Sequence, residues 1–201
     1  MGLFVVLEGG DASGKSTQAR LLADRLRSRD HDVVETFEPG ATQAGAAIRA
    51  LLLDGDGPID PTTEALLLAA DRAQEVADVV RPALGRGVDV VSDRYVPSSL
   101  AYQGVGRGLG LEKVEKLNRW ATGGLEPDLV VVLDVDEAVA TSRRATPGDR
   151  LERAGAEFHA TVRDAYRTLA ADRGWVVIDG NDDAEIVSER VWAVVRERFG
   201  L

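Results

Sequence analysis

The segment Gly9-Gly10-Asp11-Ala12-Ser13-Gly14-Lys15-Ser16 decides the fold. It follows the apolar run of residues 3–7 and precedes a stretch with helical spacing of apolar residues, 14–29. Glycines at both ends let the backbone wrap tightly, so that amide groups converge on an anion. The following helix adds the positive end of its dipole. The segment fits G-x-x-x-x-G-K-[ST], and it therefore predicts a polyphosphate site between a strand and a helix.

The individual positions of this P-loop have distinct expected contacts. Lys15 should reach the β- and γ-phosphates of ATP, and the Ser16 hydroxyl should ligate Mg²⁺. We therefore expect ATP as the bound nucleotide and Mg²⁺ as the cofactor. The residues predicted here to bind ATP are Gly9, Gly10, Asp11, Ala12, Ser13, Gly14, Lys15, Ser16 and Thr17.

Apolar strands alternate with amphipathic helices along the rest of the chain. The predicted strands are residues 3–7, 33–37, 88–92, 129–135 and 175–178, and the main helices are 14–29, 42–53, 60–84, 111–122, 137–144, a helix ending near 173, and 184–199. Continuous apolar strands between helices indicate a parallel sheet that is covered on both faces. We expect one α/β domain over residues 1–201, a P-loop NTPase three-layer sandwich with a five-stranded parallel sheet and a short lid at about 143–152. The glycine-rich residues 104–110 are predicted to be a loop.

The composition excludes several classes of protein. The chain has no cysteine, so disulfides and thiolate metal sites are ruled out. A net charge of −10 argues against a nucleic-acid partner, which would favour a basic face. The apolar run near the N-terminus is too short to span a membrane and has no basic segment before it. We therefore expect a cytoplasmic protein with small-molecule partners and no membrane contact.

A nucleotide site alone does not separate an enzyme from a switch. A regulatory GTPase would need an Asn-Lys-x-Asp segment, and no lysine follows Lys116. Asp93-Arg94-Tyr95 follow a predicted strand and so should lie at the same sheet edge as the P-loop. This arrangement favours a small kinase with a second anionic substrate. A P-loop regulator without transfer activity stays open as an alternative.

The chain resembles the thymidylate kinases. The matching pieces, in order, are Glu8-Gly9 with Asp11 and Gly14-Lys15-Ser16-Thr17, Glu38-Pro39-Gly40 with Thr42, Ala70-Asp71-Arg72, Asp93-Arg94-Tyr95 with Ser98-Ser99 and Ala101-Tyr102-Gln103, Pro127-Asp128-Leu129 with Leu133-Asp134-Val135, and Asp149-Arg150 with Glu152. The resemblance implies transfer of the ATP γ-phosphoryl group to dTMP, giving dTDP, by a homodimeric enzyme. It also implies that the loop carrying Asn181 lies near the adenine.

The same resemblance implies roles for the acceptor side. Arg94 would bind the acceptor phosphate, and Arg72 would hydrogen-bond the base. Ser99 and Gln103 would read the thymine edge, while Tyr102 would lie under the 2′ carbon and disfavour a ribose hydroxyl.

Two acidic residues complete the set that the resemblance implies. Asp11 would hold the sugar 3′-hydroxyl or the metal shell, and Asp93 would support the metal.

The chemistry requires positive charge around the transferred group. The attacking phosphate oxygen is already anionic, so that catalysis rests on positioning and charge neutralisation rather than on a general base. Thymidylate kinases supply an arginine from the P-loop or from the lid, and the P-loop position here is Ala12. Arg143 and Arg150 are therefore the candidate transition-state residues. The predicted catalytic residues are Lys15, Asp11, Arg94, Arg143 and Arg150.

Two positions depart from the family pattern. Leu68 stands where an aromatic side chain usually stacks on thymine, and Phe37 stands where the bacterial pattern has an arginine. Arg49 is a candidate to supply that charge. A nucleoside or nucleotide kinase with another acceptor base therefore stays open.

The histidines and tryptophans lie outside these motifs. His31 and His159 have no ligand-spaced partner and are predicted to be surface or capping residues. The three tryptophans, Trp120, Trp175 and Trp192, are predicted to pack in the interior.

Overall fold

The computed structural model describes residues 2–54, 57–143, 150 and 152–201. A parallel sheet with the strand order β2-β3-β1-β4-β5 forms its centre. The strands are β1 (Phe4–Gly9), β2 (Val33–Phe37), β3 (Asp89–Asp93), β4 (Leu129–Asp134) and β5 (Val176–Asp179). The predicted five-stranded parallel α/β fold is thereby confirmed.

Helices cover both faces of this sheet. Those described are α1 (Lys15–Arg27), α2 (Gln43–Leu53), α3 (Pro61–Glu75), α4 (Arg81–Gly85), α5 (Val96–Ser99), α6 (Leu111–Thr122), α7 (Glu137–Arg143), α8 (Ala156–Arg173) and α9 (Ala184–Phe199). A π-helical turn, Val76–Val80, joins α3 to α4, and a second one, Leu100–Gly106, continues α5. A 3₁₀ turn, Glu152–Ala154, precedes α8. No helix in the described ranges is both long and apolar enough to cross a membrane.

Side-chain alternation along β1 shows how the layers form. Val5 and Leu7 pack with α1 and α9 on one face, whereas Phe4 and Val6 pack with the helical segment 76–84 on the other. All four side chains are buried. Because successive strand residues point to opposite faces, a strand that is apolar at every position must be covered on both sides.

The glycine-rich stretch was wrongly predicted to be a loop from its first residue. Residues 100–106 are π-helical, and the turn begins only beyond Gly106. Both glycines in this helix lie in close contact with neighbouring side chains, most tightly at Gly106. A Cβ on Gly104 would lie 3.1 Å from the Leu111 side chain, and one on Gly106 would lie 2.8 Å from the Phe158 ring. The sequence alone does not distinguish a glycine that lets a neighbouring side chain pack closely from a glycine that ends a helix.

Trp120 contradicts the prediction of interior packing. Its side chain on α6 is 83% exposed, whereas Trp192 is buried in the core between α1 and α9. Trp175 packs, as predicted, against a cluster of buried side chains that includes Val162 and Leu169 of α8.

The sheet brings the functional loops to one edge. Leu7 pairs with Asp93 and Gly9 pairs with Leu133, so β1 lies between β3 and β4. β2 and β3 lie on one side of β1, whereas β4 and β5 lie on the other. Such a reversal of strand order opens a crevice at the carboxyl ends of the strands.

Candidate active site

The P-loop joins β1 to α1 in a conformation that its sequence requires. Gly9 has a φ of 138°, and a Cβ there would lie 2.5 Å from the Leu133 carbonyl oxygen. Gly14 has a φ of 91° and precedes the first residue of α1. Left-handed backbone of this kind suits glycine. The turn therefore presents the N-terminus of α1 toward the crevice, where it favours an anion.

Lys15 lies folded over this loop. Its Nζ donates to the Gly10 carbonyl at 2.6 Å and approaches Ser13 Oγ at 3.4 Å. Burial, together with the nearby charge of Arg94, lowers the pKa of Lys15 to about 8. The carboxylates of Asp93, Asp11 and Glu8 act in the opposite direction without offsetting burial, and a buried ammonium group of this kind is suited to receive phosphate.

Two clefts meet at the P-loop. The wide cleft has a volume of about 760 Å³ and the narrow cleft about 440 Å³. Ala12, Lys15 and Ser16 line both of them. Two ligands could therefore approach the same loop from opposite sides.

The narrow cleft is bounded by the P-loop and by the loop between β5 and α9. Arg143, at the end of α7, donates to three carbonyl oxygens of that loop, Gly180, Asn181 and Asp182, at 2.9, 3.3 and 2.9 Å. The Asn181 side chain accepts from the Asp136 amide and donates to Asp179. Arg143 and Asn181 thus shape this wall, and their direct contacts with ATP remain predictions.

Arg94 lies where the wide cleft reaches the P-loop. Its φ is 78°, an uncommon value for a residue with a side chain. Its guanidinium donates to Asp11 at 2.5 Å, to Ser98 Oγ at 3.0 Å and to the Gly9 carbonyl at 3.3 Å. Burial alone would raise the pKa of Asp11, but the charges of Arg94 and Lys15 outweigh it and hold that pKa below its ordinary value.

The buried carboxylate of Glu8 binds the backbone segment that follows Arg94. It accepts hydrogen bonds from the amides of Tyr95 and Ser98 at 2.8 and 3.2 Å. It also accepts from the hydroxyls of Ser98 and Tyr166 at 2.7 and 2.8 Å. Burial raises the pKa of Glu8 above its ordinary value. The strand before the P-loop is thereby fastened to the segment that follows Arg94.

Arg72 is held by the protein on every side. Its Nε and Nη2 bind the Glu38 carboxylate, Nη1 binds Ser99 and Asn118, and Nη2 also donates to the Tyr95 carbonyl. All five N–H donors of the guanidinium are thus used, and the residue is 1% exposed. It lines the wide cleft. A bond to an acceptor base remains a prediction and would require a shared donor.

The other residues predicted to bind the acceptor also line the wide cleft. They are Phe37, Arg49, Leu68, Ser99, Tyr102 and Gln103. Arg49 is turned to the Pro39 carbonyl, to which it donates at 2.8 Å. The structure therefore brings together side chains from β2, α2, α3 and the segment 96–106.

Ser16 and Asp93 form a pair suited to Mg²⁺. The Ser16 hydroxyl donates to Asp93 Oδ2, and Asp93 Oδ1 is buried without a donor among the described residues. No cluster of three or more acidic, histidine or cysteine ligands occurs in the described parts of the chain. Mg²⁺ at phosphate sites usually takes only one or two protein oxygens besides water and phosphate, so this pair fits the ion.

His159 contradicts its predicted surface position. It lies on α8, is 8% exposed, and its Nδ1 is 3.7 Å from Asp11 Oδ2. His31 is only partly exposed and hydrogen-bonds Asp89 at 2.8 Å. A histidine on the buried face of a helix carries no sequence signal for a contact so distant along the chain.

The predicted lid lies largely outside the described residues. Arg150 is described, and its Nη1 lies 3.4 Å from the Gly57 carbonyl oxygen. Its action on the transferred group remains a prediction.

Sequence reasoning missed several residues that hold the site. Glu8, Glu38 and Tyr166 had no assigned role, although Glu8 stood out as a charge at the end of an apolar strand. Glu64, at the start of a predicted helix, had no assigned role either. It is buried and binds Gln103 and Arg107.

Comparison with known proteins defines the class and then the family. The thymidylate kinase family match makes the chain an ATP-dependent nucleoside monophosphate kinase, a phosphotransferase, and two clefts that share a P-loop fit this class. The family model described as thymidylate kinase matches residues 7–191. The chain is 50% identical over 194 residues to the thymidylate kinase of Leifsonia xyli subsp. xyli, covering 94% of this chain and 92% of the relative. The chain belongs to the thymidylate kinase family.

Other bacterial thymidylate kinases match the chain over a similar length. The thymidylate kinase of Halothermothrix orenii is 44% identical over 200 residues, covering 97% of each chain. That of Deinococcus radiodurans is 45% identical over 201 residues, covering 98% of each chain. The resemblance inferred from the motifs is confirmed.

Proposed function

We propose that this protein transfers the γ-phosphoryl group of ATP to dTMP, giving dTDP and ADP. One observation carries the proposal: Ala12, Lys15 and Ser16 line both clefts. A donor and an acceptor on opposite sides of one loop can align for in-line transfer. Membership of the thymidylate kinase family supports dTMP as the acceptor.

ATP binds in the narrow cleft with its phosphates in the P-loop. Backbone amides of residues 9–17 and the Lys15 ammonium hold the phosphates. Ser16 and Asp93 would hold Mg²⁺, and the ion would supply positive charge beside the phosphates. The adenine lies against the loop of residues 180–182, close to Arg143 and Asn181.

The acceptor binds in the wide cleft. Arg94 binds its phosphate beside the P-loop, with Asp11 near the sugar. Tyr102 packs against the guanidinium of Arg94, 5.1 Å from its ring centre, and limits the space near the 2′ carbon.

The base lies deeper in the same cleft. Ser99, Gln103 and Arg72 provide polar contacts, and Leu68 provides an aliphatic one. Phe37 and Arg49 border the entrance.

The reaction needs no general base because the attacking phosphate oxygen is an anion. Lys15 and Arg94 neutralise charge on the two sides of the transferred group. Arg150, or Arg143, adds positive charge in the transition state. Asp11 keeps Arg94 oriented through the ion pair described above.

The active protein is a homodimer in the cytoplasm. Its apolar exposed side chains Leu51, Leu66 and Trp120 lie on α2, α3 and α6, and α3 packs against both other helices. ATP and dTMP are cytoplasmic metabolites, which supports that location.

An acceptor panel tests the proposal. ADP release is coupled to a spectrophotometric assay with dTMP, dUMP, UMP, CMP, AMP and thymidine. We expect the highest kcat/KM with dTMP. A different preferred acceptor would favour another nucleotide kinase, as the aliphatic Leu68 allows. ADP release that no acceptor stimulates would favour a regulator and end the proposal.

A further inference from the structure

A buried carboxylate lies behind the wall of the wide cleft. Glu64, in the first turn of α3, is 2% exposed. Its Oε1 accepts from Gln103 Nε2 at 2.8 Å and from Arg107 Nε at 3.2 Å, and its Oε2 accepts from Arg107 Nη2 at 3.1 Å. Gln103, rather than Glu64, is among the described residues that line the cleft. Any effect of Glu64 on a ligand must therefore pass through Gln103.

The contact with Glu64 fixes which end of the Gln103 amide faces which way. A carboxylate paired with a guanidinium only accepts hydrogen bonds, so it must face the NH₂ end of an amide. Arg107 is itself held, because its guanidinium stacks 4.5 Å from the centre of the Phe158 ring. Glu64 therefore has little freedom to release Gln103 Nε2.

The other end of the amide is left without a donor. Gln103 Oε1 is buried, and no donor among the residues that the structure describes reaches it. A buried acceptor without a hydrogen-bond partner is unfavourable. Because Gln103 lines the wide cleft, a bound ligand is the natural source of a donor for Oε1.

We propose that Glu64 is a positioning residue that selects the acceptor base. By holding the Gln103 NH₂, it presents Oε1 as a fixed acceptor to a base that carries an N–H at ring position 3. The inference rests on the proposed binding of the dTMP base in the wide cleft.

The chemistry of the bases sets what this arrangement accepts. Thymine and uracil carry a hydrogen on N3, whereas cytosine has a lone pair there and repels a carbonyl oxygen. A site built to hydrogen-bond one group discriminates strongly against an analogue that leaves its buried atoms unpaired. The Glu64–Gln103 pair excludes cytosine and is indifferent to the 5-methyl group that separates thymine from uracil.

The unmodified enzyme allows the first test. N3-methyl-dTMP carries a methyl group in place of the proposed donor hydrogen, and we expect its kcat/KM to be at least about 30-fold below that of dTMP. Equal use of the two acceptors would show that Gln103 does not read N3, and the acceptor-side proposal for Gln103 would fail. If N3-methyl-dTMP is rejected but substitution of Glu64 has no effect on acceptor choice, Gln103 still reads N3 and only the role of Glu64 fails.

Glu64→Gln tests the positioning itself. The new amide has one acceptor oxygen for the three donors of Gln103 and Arg107, so the hold on Gln103 Nε2 weakens and the Gln103 amide can reverse and present its own NH₂ to the base. We expect the ratio of kcat/KM for dTMP over dCMP to fall at least about tenfold, with dUMP changing in parallel with dTMP. Glu112→Gln, the same change at an exposed residue paired with Lys116, should leave the ratio unaltered.

A double-variant cycle separates positioning from general damage. In a Gln103→Leu background, Glu64→Gln should change the dTMP to dCMP ratio by less than about twofold, because the side chain through which it acts is gone. Thermal midpoints are recorded for each protein, and Glu64→Asp replaces Glu64→Gln if the latter does not fold. An unchanged ratio in the folded Glu64 variant, or an equal effect with and without Gln103, would overturn the inference.

Discussion

Arg94 connects the acceptor side to the P-loop through a single guanidinium. It donates to Asp11, Ser98 and the Gly9 carbonyl. A hydrogen bond to a charged group contributes about 2 kcal/mol, which corresponds to about 30-fold in affinity. We therefore expect Arg94→Ala to raise the KM for dTMP at least about 30-fold. Initial rates at saturating ATP measure it, with Arg198→Ala, an exposed residue of α9 that lines neither cleft, as the control, and an unaltered KM would reject the phosphate-binding role.

Lys15 gives ATP binding a dependence on pH. Its pKa of about 8 means that the free enzyme loses this charge as pH rises through that value. Bound phosphates favour the ammonium form, so binding takes up a proton above pH 8 and affinity must fall there. We expect the Kd for ATP to rise by up to about tenfold per pH unit above the pKa.

Isothermal titration between pH 7 and about 9.5 checks the prediction for Lys15. Lys15→Arg is the control, because a guanidinium stays charged throughout this range. A wild-type Kd that does not change over this pH range would contradict the prediction. A Kd that rises equally with pH in the arginine variant would assign the pH dependence to other groups.

Single residues were predictable from sequence where a motif fixes them. Lys15 and Arg94 lie at the P-loop and at a strand end, and those positions follow from local pattern. Glu8 and His159 act through partners far away along the chain, Tyr166 and Asp11. Such contacts depend on which helix packs over which strand, and this information is not local.

The start of α3 shows an element stabilised by its cap. Asp60 accepts from the amides of Thr62 and Thr63 at 2.8 and 3.4 Å, and Pro61 is the first helical residue. Replacing such a cap by alanine costs about 1 kcal/mol. We expect Asp60→Ala to lower the thermal midpoint by about 2–4 °C.

Asp183 offers a matched control for the cap of α3. It occupies the same position at α9 but makes no capping hydrogen bond with its side chain. Calorimetry of both variants should show the smaller loss in Asp183→Ala. Equal losses would mean that helix-dipole charge, rather than the hydrogen bond, stabilises α3.

Two arginines at the ends of the predicted lid should differ in their kinetic effects. Arg143 is tied to the loop after β5 and borders the narrow cleft. We expect Arg143→Ala to raise the KM for ATP about tenfold, since it loosens that wall, with a smaller change in kcat.

Arg150→Ala should show the opposite pattern. If its charge acts on the transferred group, kcat falls by at least about tenfold while both KM values change less. Steady-state kinetics of the two variants, measured side by side, separate the roles. Identical profiles would reject the division between an arginine that shapes the ATP site and one that acts in the transition state.

Helix positions were predicted well where periodicity is strong, and less well around residues 96–106. Gly104 and Gly106 suggested a loop, but they admit Leu111 and Phe158 against a π-helical segment. That segment carries Tyr102 and Gln103 into the wide cleft. The local pattern singled out Tyr102 and Gln103, whose binding roles stay predictions, but it did not predict the helical element that carries them, because tertiary packing decides between a flexible glycine and a packed one.

The surface of the whole molecule bears on its association. Leu51, Leu66 and Trp120 lie on neighbouring helices and are 61, 52 and 83% exposed. Exposed apolar side chains grouped in this way favour a surface that a second copy of the chain covers. Each chain also carries a net charge of −10, so two copies repel one another. Salt screens such repulsion within a Debye length of about 10 Å at 0.1 M. Association should therefore be tighter at higher KCl.

Sedimentation equilibrium checks both the interface and the effect of charge. We expect a dimer whose dissociation constant falls between about 0.02 and 0.5 M KCl, because screening weakens repulsion and leaves apolar burial intact. Trp120→Glu adds charge to the interface and should give a monomer at micromolar concentration. Ile186→Glu, at an exposed position of α9, should leave the dimer unchanged. A monomeric wild-type protein, or equal dissociation by both substitutions, would remove α6 from the interface and leave Trp120 without a partner surface.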